Sequence, residues 1–118
     1  MGKKNKSKVY AYCRVSTSDQ DTDNQRLEIL EYARQNNFKV DDYIMIEVSS
    51  RKDKKTRRID ELMENLQTGD TLIVSELSRL GRSVGQLATI VDELVSNKIK
   101  FVAIKEGIRL NGNGKKDI

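Results

Sequence analysis

The sequence predicts an α/β domain built on a mostly parallel four- to five-stranded sheet with helices on both faces. Three observations predict it. Short segments with period-two alternation take turns with longer ones whose apolar residues recur every three or four positions. The connections between them are brief, and alternating strands and helices pack as a parallel sheet covered on both sides. The length, 118 residues, suits one domain with a single modest core.

The first strand starts at Val9 and runs V-Y-A-Y-C-R-V towards Ser16. Alternation puts Val9, Ala11, Cys13 and Val15 on one face and Tyr10, Tyr12, Arg14 and Ser16 on the other. A turn-like stretch, T-S-D-Q-D-T-D-N, leads to a helix expected over 24–35, with Leu27, Leu30 and Ala33 or Arg34 on its inner stripe. Thr22 and Gln25 have capping-box spacing, and Asn36-Asn37 is the expected stop. Residues 43–48 read as a second strand, followed by a basic loop without an apolar anchor. A second helix is expected over 58–67, where Ile59, Leu62, Met63 and Leu66 fall at i, i+3, i+4 and i+7, with Gly69 as its C-terminal cap. Residues 71–77 read as the third strand. Residues 84–96 read as a third helix, with Val84, Leu87, Ala88, Val91, Leu94 and Val95 on one face, and 100–104 as the last strand. Gly107, Gly112 and Gly114 mark an irregular end.

Charge is concentrated. The net charge is +4, yet the tail Met1–Lys8 alone contributes +4 and the loop Arg51–Arg58 another +5, so the remainder carries −5. Such segments suit a phosphate backbone, although a solvated tail has the same composition. The single cysteine, Cys13, excludes an internal disulfide and is expected to be a buried thiol. No apolar run approaches a membrane span and no signal-peptide core is visible, so a cytoplasmic protein without a membrane partner is expected. Histidine is absent, which removes Ser-His-Asp and Cys-His catalysis and the usual zinc sites. No cofactor is expected. Nucleotide-binding motifs of the G-x-x-x-x-G-K-[ST] or G-x-G-x-x-G kind are missing.

In parallel sheets ligands sit beyond the carboxyl ends of the strands. The expected topology brings Ser16, the loop after the second strand and Ser78–Arg82 to that one edge. Arginine offers a rigid fork of donors suited to phosphate, and serine a nucleophile. Read alone, the first stretch is equally a core strand ending in cap residues.

Together, Y-x-R-V-S-T-x-x-Q (Tyr12 to Gln20) and L-S-R-L-G-R (Leu77 to Arg82) resemble the catalytic domain of the serine recombinases, the resolvase and invertase family. The resemblance implies a resolvase-like catalytic domain over 9–118, after a basic tail at 1–8. It implies a site-specific DNA recombinase that cuts and rejoins strands through a 5′-phosphoserine intermediate at Ser16. Arg14, Arg79 and Arg82 match the motif arginines. Tyr12, Gln20 and Gln25 match positions near the site, and Asp70 matches a carboxylate after the capping glycine. The implied partners are double-stranded DNA at a recombination site and, in the full-length protein, further copies of the chain as a dimer or tetramer. A serine-type transposase catalytic domain and a catalytically silent α/β module binding phosphate or a partner are the alternatives.

The chain departs from the family pattern at three places. Ser78 stands where many members have Asp. The family's loop arginine aligns with Thr56, and Arg57 or Arg58 is expected to supply that charge after a small shift, with Arg57 the choice. The family continues into a dimer-forming helix and a DNA-binding domain, whereas this sequence ends at Ile118. Residues 1–118 are therefore expected to fold alone and to bind DNA weakly, without sequence preference and with strong salt dependence. Titration against cognate and scrambled duplexes at several salt concentrations checks this.

Overall fold

The computed structural model of the chain describes residues 7–15, 19–47, 62–81 and 83–111. Its elements are β1 (Val9–Val15), α1 (Asp19–Gln35), β2 (Asp42–Glu47), β3 (Thr71–Val74), a 3-10 turn (Leu77–Arg79), α2 (Val84–Ser96), β4 (Lys100–Ala103) and β5 (Ile108–Leu110). Residues 62–65, ahead of β3, are also helical. Among the described residues the strands form one sheet in the order β2-β1-β3-β4-β5. β1 pairs in parallel with β2 and β3, and β3 with β4, while β5 lies antiparallel on β4. The mostly parallel sheet is as expected, and the antiparallel β5 falls in the stretch read as irregular.

Alternation along the strands feeds two cores. Tyr12, Leu72, Val74, Phe101 and Ala103 point to one face, under Leu62, Met63, Leu66 and the Ile90 and Leu94 side of α2. Ala11, Cys13, Ile73 and Val102 point to the other, under Ile29 of α1. Both faces of β1 are thus buried, and the face that carries Tyr10 and Tyr12 is apolar core. Cys13 is fully buried, as expected.

The helices depart from the sequence reading in detail. α1 starts at Asp19, so Thr22 and Gln25 lie within it and form no capping box at its start. Its buried stripe is Gln25, Ile29 and Ala33, whereas Leu27 and Leu30 are 62% and 54% exposed. α2 matches its expected bounds, but its buried residues are Ile90 and Leu94, with Val84 83% exposed. β3 stops at Val74, three residues short of the expected end, although Ile104 N–H donates to Val74 O and Lys105 N–H to Ser75 O past the end of β4. The helical pattern over Leu62, Met63 and Leu66 is buried as expected, while Ile59 lies outside the described residues.

Both long helices end in the same motif. Asn37 has φ 60° and Lys98 φ 59°. Phe38 N–H donates to Ala33 O and Asn37 N–H to Arg34 O; Ile99 N–H donates to Leu94 O and Lys98 N–H to Val95 O. These are Schellman ends, with the left-handed residue directly after the cap. Gly69, at φ 96°, is not the expected cap: the helical residues end at 65, and its N–H donates to Lys98 O of another segment. Asparagine tolerates the left-handed region, but lysine carries the full Cβ penalty. Lys98→Gly is therefore expected to stabilise the domain by about 0.5–1 kcal/mol, net of the entropy glycine adds to the unfolded chain. Urea denaturation of the two proteins checks this.

Candidate functional site

The strand order reverses direction at β1, with β2 on one side and β3 on the other. That reversal opens a crevice at the carboxyl end of the sheet, where ligands of open α/β sheets bind. Backbone pairing shapes the crevice here. β1 pairs with β2 from Tyr10 to Val15, but with β3 only from Val9 to Ala11. The carboxyl half of β1 therefore has no β3 ladder beside it.

Carbonyls alternate sides along a strand. Lys8 O accepts from Thr71 N–H on the β3 side, and Val9 O from Asp41 N–H on the β2 side. Arg14 O thus faces the side where β3 has ended. Two side chains supply what the ladder does not: Gln25 Nε2 donates to it at 3.1 Å and Arg79 Nη1 at 3.4 Å. A buried backbone carbonyl must find donors, and here it draws two functional groups together. Gln25 is only 2% exposed, so α1 spends one position of its inner stripe on this contact.

Arg14 closes the arrangement in the opposite direction. Its Nη2 donates to the backbone carbonyl of Ser78. The Ser78 residue is exposed, and what it offers Arg14 is main chain. The 3-10 turn carrying Ser78 and Arg79 is itself held by carboxylates. Glu106 Oε1 and Oε2 each lie 3.2 Å from Leu77 N and accept its N–H, and Glu76 lies 3.4 Å from both Arg79 Nε and Lys105 Nζ. Gly81 then admits α2 closely: a Cβ there would meet Leu87 Cδ2 at 3.1 Å and Gln86 Oε1 at 3.2 Å. Ser83 caps α2, its hydroxyl accepting from Gln86 N–H.

Of the residues singled out in the sequence, Arg14 and Arg79 come together, with Gln25 between α1 and β1. Tyr12 is in the core at 1% exposure and does not stand on an open polar face. Gln20 stands in the first turn of α1, with its backbone alone described. Ser16, Arg57 and Arg82 lie outside the described residues, as do the Arg51–Arg58 loop and nearly all of the tail. Among the described residues no cluster of three or more metal-type ligands occurs, and no helix is long and apolar enough to cross a membrane.

Asp70 does not reach this edge. It precedes β3, and Thr71 pairs with Val9 at the opposite end of β1, roughly 17 Å along the strand from Arg14 at about 3.3 Å per residue. Its Oδ1 accepts from Lys8 N–H at 2.9 Å and its Oδ2 from Gln67 N–H at 2.8 Å. The carboxylate stitches β1 to the end of the preceding helix, and Asp41 Oδ2 does the same on the β2 side by accepting from Val9 N–H. The pairing of Glu76 with Arg79 has a readable spacing, three residues apart, and reads in the sequence as a surface pair; Glu106 and the Ser83–Gln86 cap were not singled out. Of those two, only the cap had a readable signal, the S-x-x-Q spacing.

The family model described as Resolvase, N terminal domain matches residues 9–117. The chain is 38% identical over 103 residues to the transposon Tn2501 resolvase of Escherichia coli, a match that covers 86% of this chain and 52% of that protein. It is 35% identical over 104 residues to the serine recombinase PinR of Escherichia coli K12, covering 86% of this chain and 51% of that one. It therefore spans about half the length of these relatives. Among solved structures, the N-terminal catalytic domain of TP901-1 integrase superposes with a TM-score of 0.67 at 30% identity, over 87% of this chain and 81% of that one.

Asp70→Ala leaves two backbone N–H groups without their acceptor. It is expected to cost about 1–3 kcal/mol of stability, read from the urea midpoint. A change below about 0.5 kcal/mol, within the range of ordinary surface substitutions, would show that Asp70 is not a structural brace.

Proposed function

The chain belongs to the resolvase N-terminal domain family of the serine recombinases, and from that premise we propose that it is the catalytic domain of a site-specific recombinase acting on double-stranded DNA. The resemblance carried by the two sequence motifs is borne out at the level of family and fold. The observation that carries the activity is the crossed pair of arginines at the crevice. Arg14 reaches the main chain after β3, Arg79 reaches the main chain of β1, and Ser16 follows Arg14 by two residues.

In the proposed reaction the Ser16 hydroxyl attacks a DNA phosphodiester. A serine–phosphate ester forms, the P–O3′ bond breaks, and the 3′ oxygen leaves as a hydroxyl while the serine proton is released. The phosphoester energy is kept in the 5′-phosphoserine, so rejoining by a 3′ hydroxyl of the partner strand needs no nucleotide. Negative charge grows on the phosphate oxygens during attack, and fixed guanidinium groups stabilise it without reorganising. Arg14, Arg79 and, by its motif position, Arg82 take that role. Arg57 and Gln20 are proposed contributors from the basic loop and the start of α1. Other copies of the chain, as dimer or tetramer, are the proposed partners, because two strands must be cut and exchanged. The cytoplasm, where such DNA lies, is the proposed location. No observation favours the transposase or silent-module alternatives.

Full-length protein incubated with labelled cognate DNA and EDTA, then denatured, is expected to yield a covalent protein–DNA adduct that Ser16→Ala abolishes. An adduct persisting unchanged in Ser16→Ala would remove the assignment. Arg14→Ala, Arg79→Ala and Arg82→Ala should each lower the rate of adduct formation by about 100- to 1,000-fold, the usual loss on deleting one preorganised donor. Arg79→Lys should lose about as much rate as Arg79→Ala, since a point charge does not reproduce the fork. Near wild-type recombination by Arg79→Lys would make Arg79 a surface residue.

A further inference from the structure

Glu76 is a charged group at the site that the recombinase reading leaves without a role. It stands in extended backbone, φ −158° and ψ 158°, at the start of the 3-10 turn and three residues before Arg79. Its carboxylate lies between two cations, Oε2 at 3.4 Å from Arg79 Nε and Oε1 at 3.4 Å from Lys105 Nζ. Exposure separates the two pairs. The Glu76 and Arg79 side chains are 25% and 27% exposed, whereas that of Lys105 is 69% exposed. A solvent-facing ammonium holds a carboxylate loosely and is screened by salt, while the shielded Arg79 pair is screened less.

The Arg79 guanidinium is also engaged at a second corner, Nη1 donating to Arg14 O. The Glu76 carboxylate thus faces the Nε side of the guanidinium as an ion pair, while Nη1 donates to a carbonyl. One long hydrogen bond to Arg14 O leaves rotation about its own axis, which an ion pair on the other side of the group restrains. Ser78, the residue between Glu76 and Arg79 on the crevice side, offers Arg14 its backbone carbonyl. We propose that Glu76 is a positioning residue for Arg79: its carboxylate restrains, by charge, the guanidinium with which that arginine meets the scissile phosphate. The role rests on the recombinase reading given above.

The test is a double-mutant cycle on covalent adduct formation at saturating cognate DNA, using full-length protein. Glu76→Gln keeps the shape and removes the charge. It is expected to slow adduct formation by roughly 10- to 100-fold, the scale of a small misplacement of a reacting group, with DNA affinity unchanged. In an Arg79→Lys background the same substitution should cost no more than about twofold, because the fork it positions is gone. Lys105→Met, which removes the exposed partner, should stay within about twofold of wild type. If Glu76→Gln folds poorly, Glu76→Asp takes its place in the same cycle. A wild-type rate in the Glu76 variant, or an equal loss in both backgrounds, overturns the positioning role alone. Wild-type protein that forms no adduct overturns the recombinase reading and this role with it.

Discussion

The site depends on one unfilled carbonyl. β1 outlasts β3, and Arg14 O points into the gap where a ladder partner would otherwise be. Leaving such a group unsatisfied is costly, so donors must come from elsewhere. They come from Gln25 on one layer and Arg79 on the sheet's own edge. The need of the main chain for hydrogen bonds therefore draws the two arginines together, before any substrate is present. Had β3 run three residues further, the carbonyl would be spent in the ladder and the crevice closed.

The same constraint explains where the sequence was misread. Apolar period alone places Leu27 and Leu30 on the inner stripe of α1, yet both are mostly exposed. The true stripe includes Gln25, whose amide is committed to Arg14 O, and a polar residue on the covered face hides the period. The third strand was read through Leu77 for a related reason. S-E-L continues an extended pattern, but Leu77 opens the 3-10 turn and its N–H is taken by Glu106, twenty-nine residues away. Contacts of that sequence separation leave no local trace.

What was legible followed local rules. The bounds of α2, the helical burial of Leu62, Met63 and Leu66, the stop at Asn37 and the buried Cys13 rest on periodicity, capping and positive φ. The gathering of Arg14 and Arg79 at one edge was legible from topology alone, since both follow a parallel strand's carboxyl end. Asp70 shows where spacing misleads. A carboxylate after a capping glycine fits an active-site position and a strand-entry brace equally well, and only the strand register separates the two, placing it at the opposite end of β1.

The acceptors that orient the arginines matter for what they can do next. Arg14 is held by the carbonyl of Ser78, and Arg79 in part by that of Arg14. A carbonyl directs a guanidinium without cancelling its charge, whereas a carboxylate does both. Two arginines fixed wholly by carboxylates would present little net field to a phosphate. The carbonyl contacts of Arg14 and Arg79 leave those charges uncancelled. Glu76 is the exception on this axis, a carboxylate 3.4 Å from Arg79 Nε. Main-chain carbonyls thus direct both arginines at this edge without neutralising them, and Arg79 trades part of its field for the restraint that Glu76 adds.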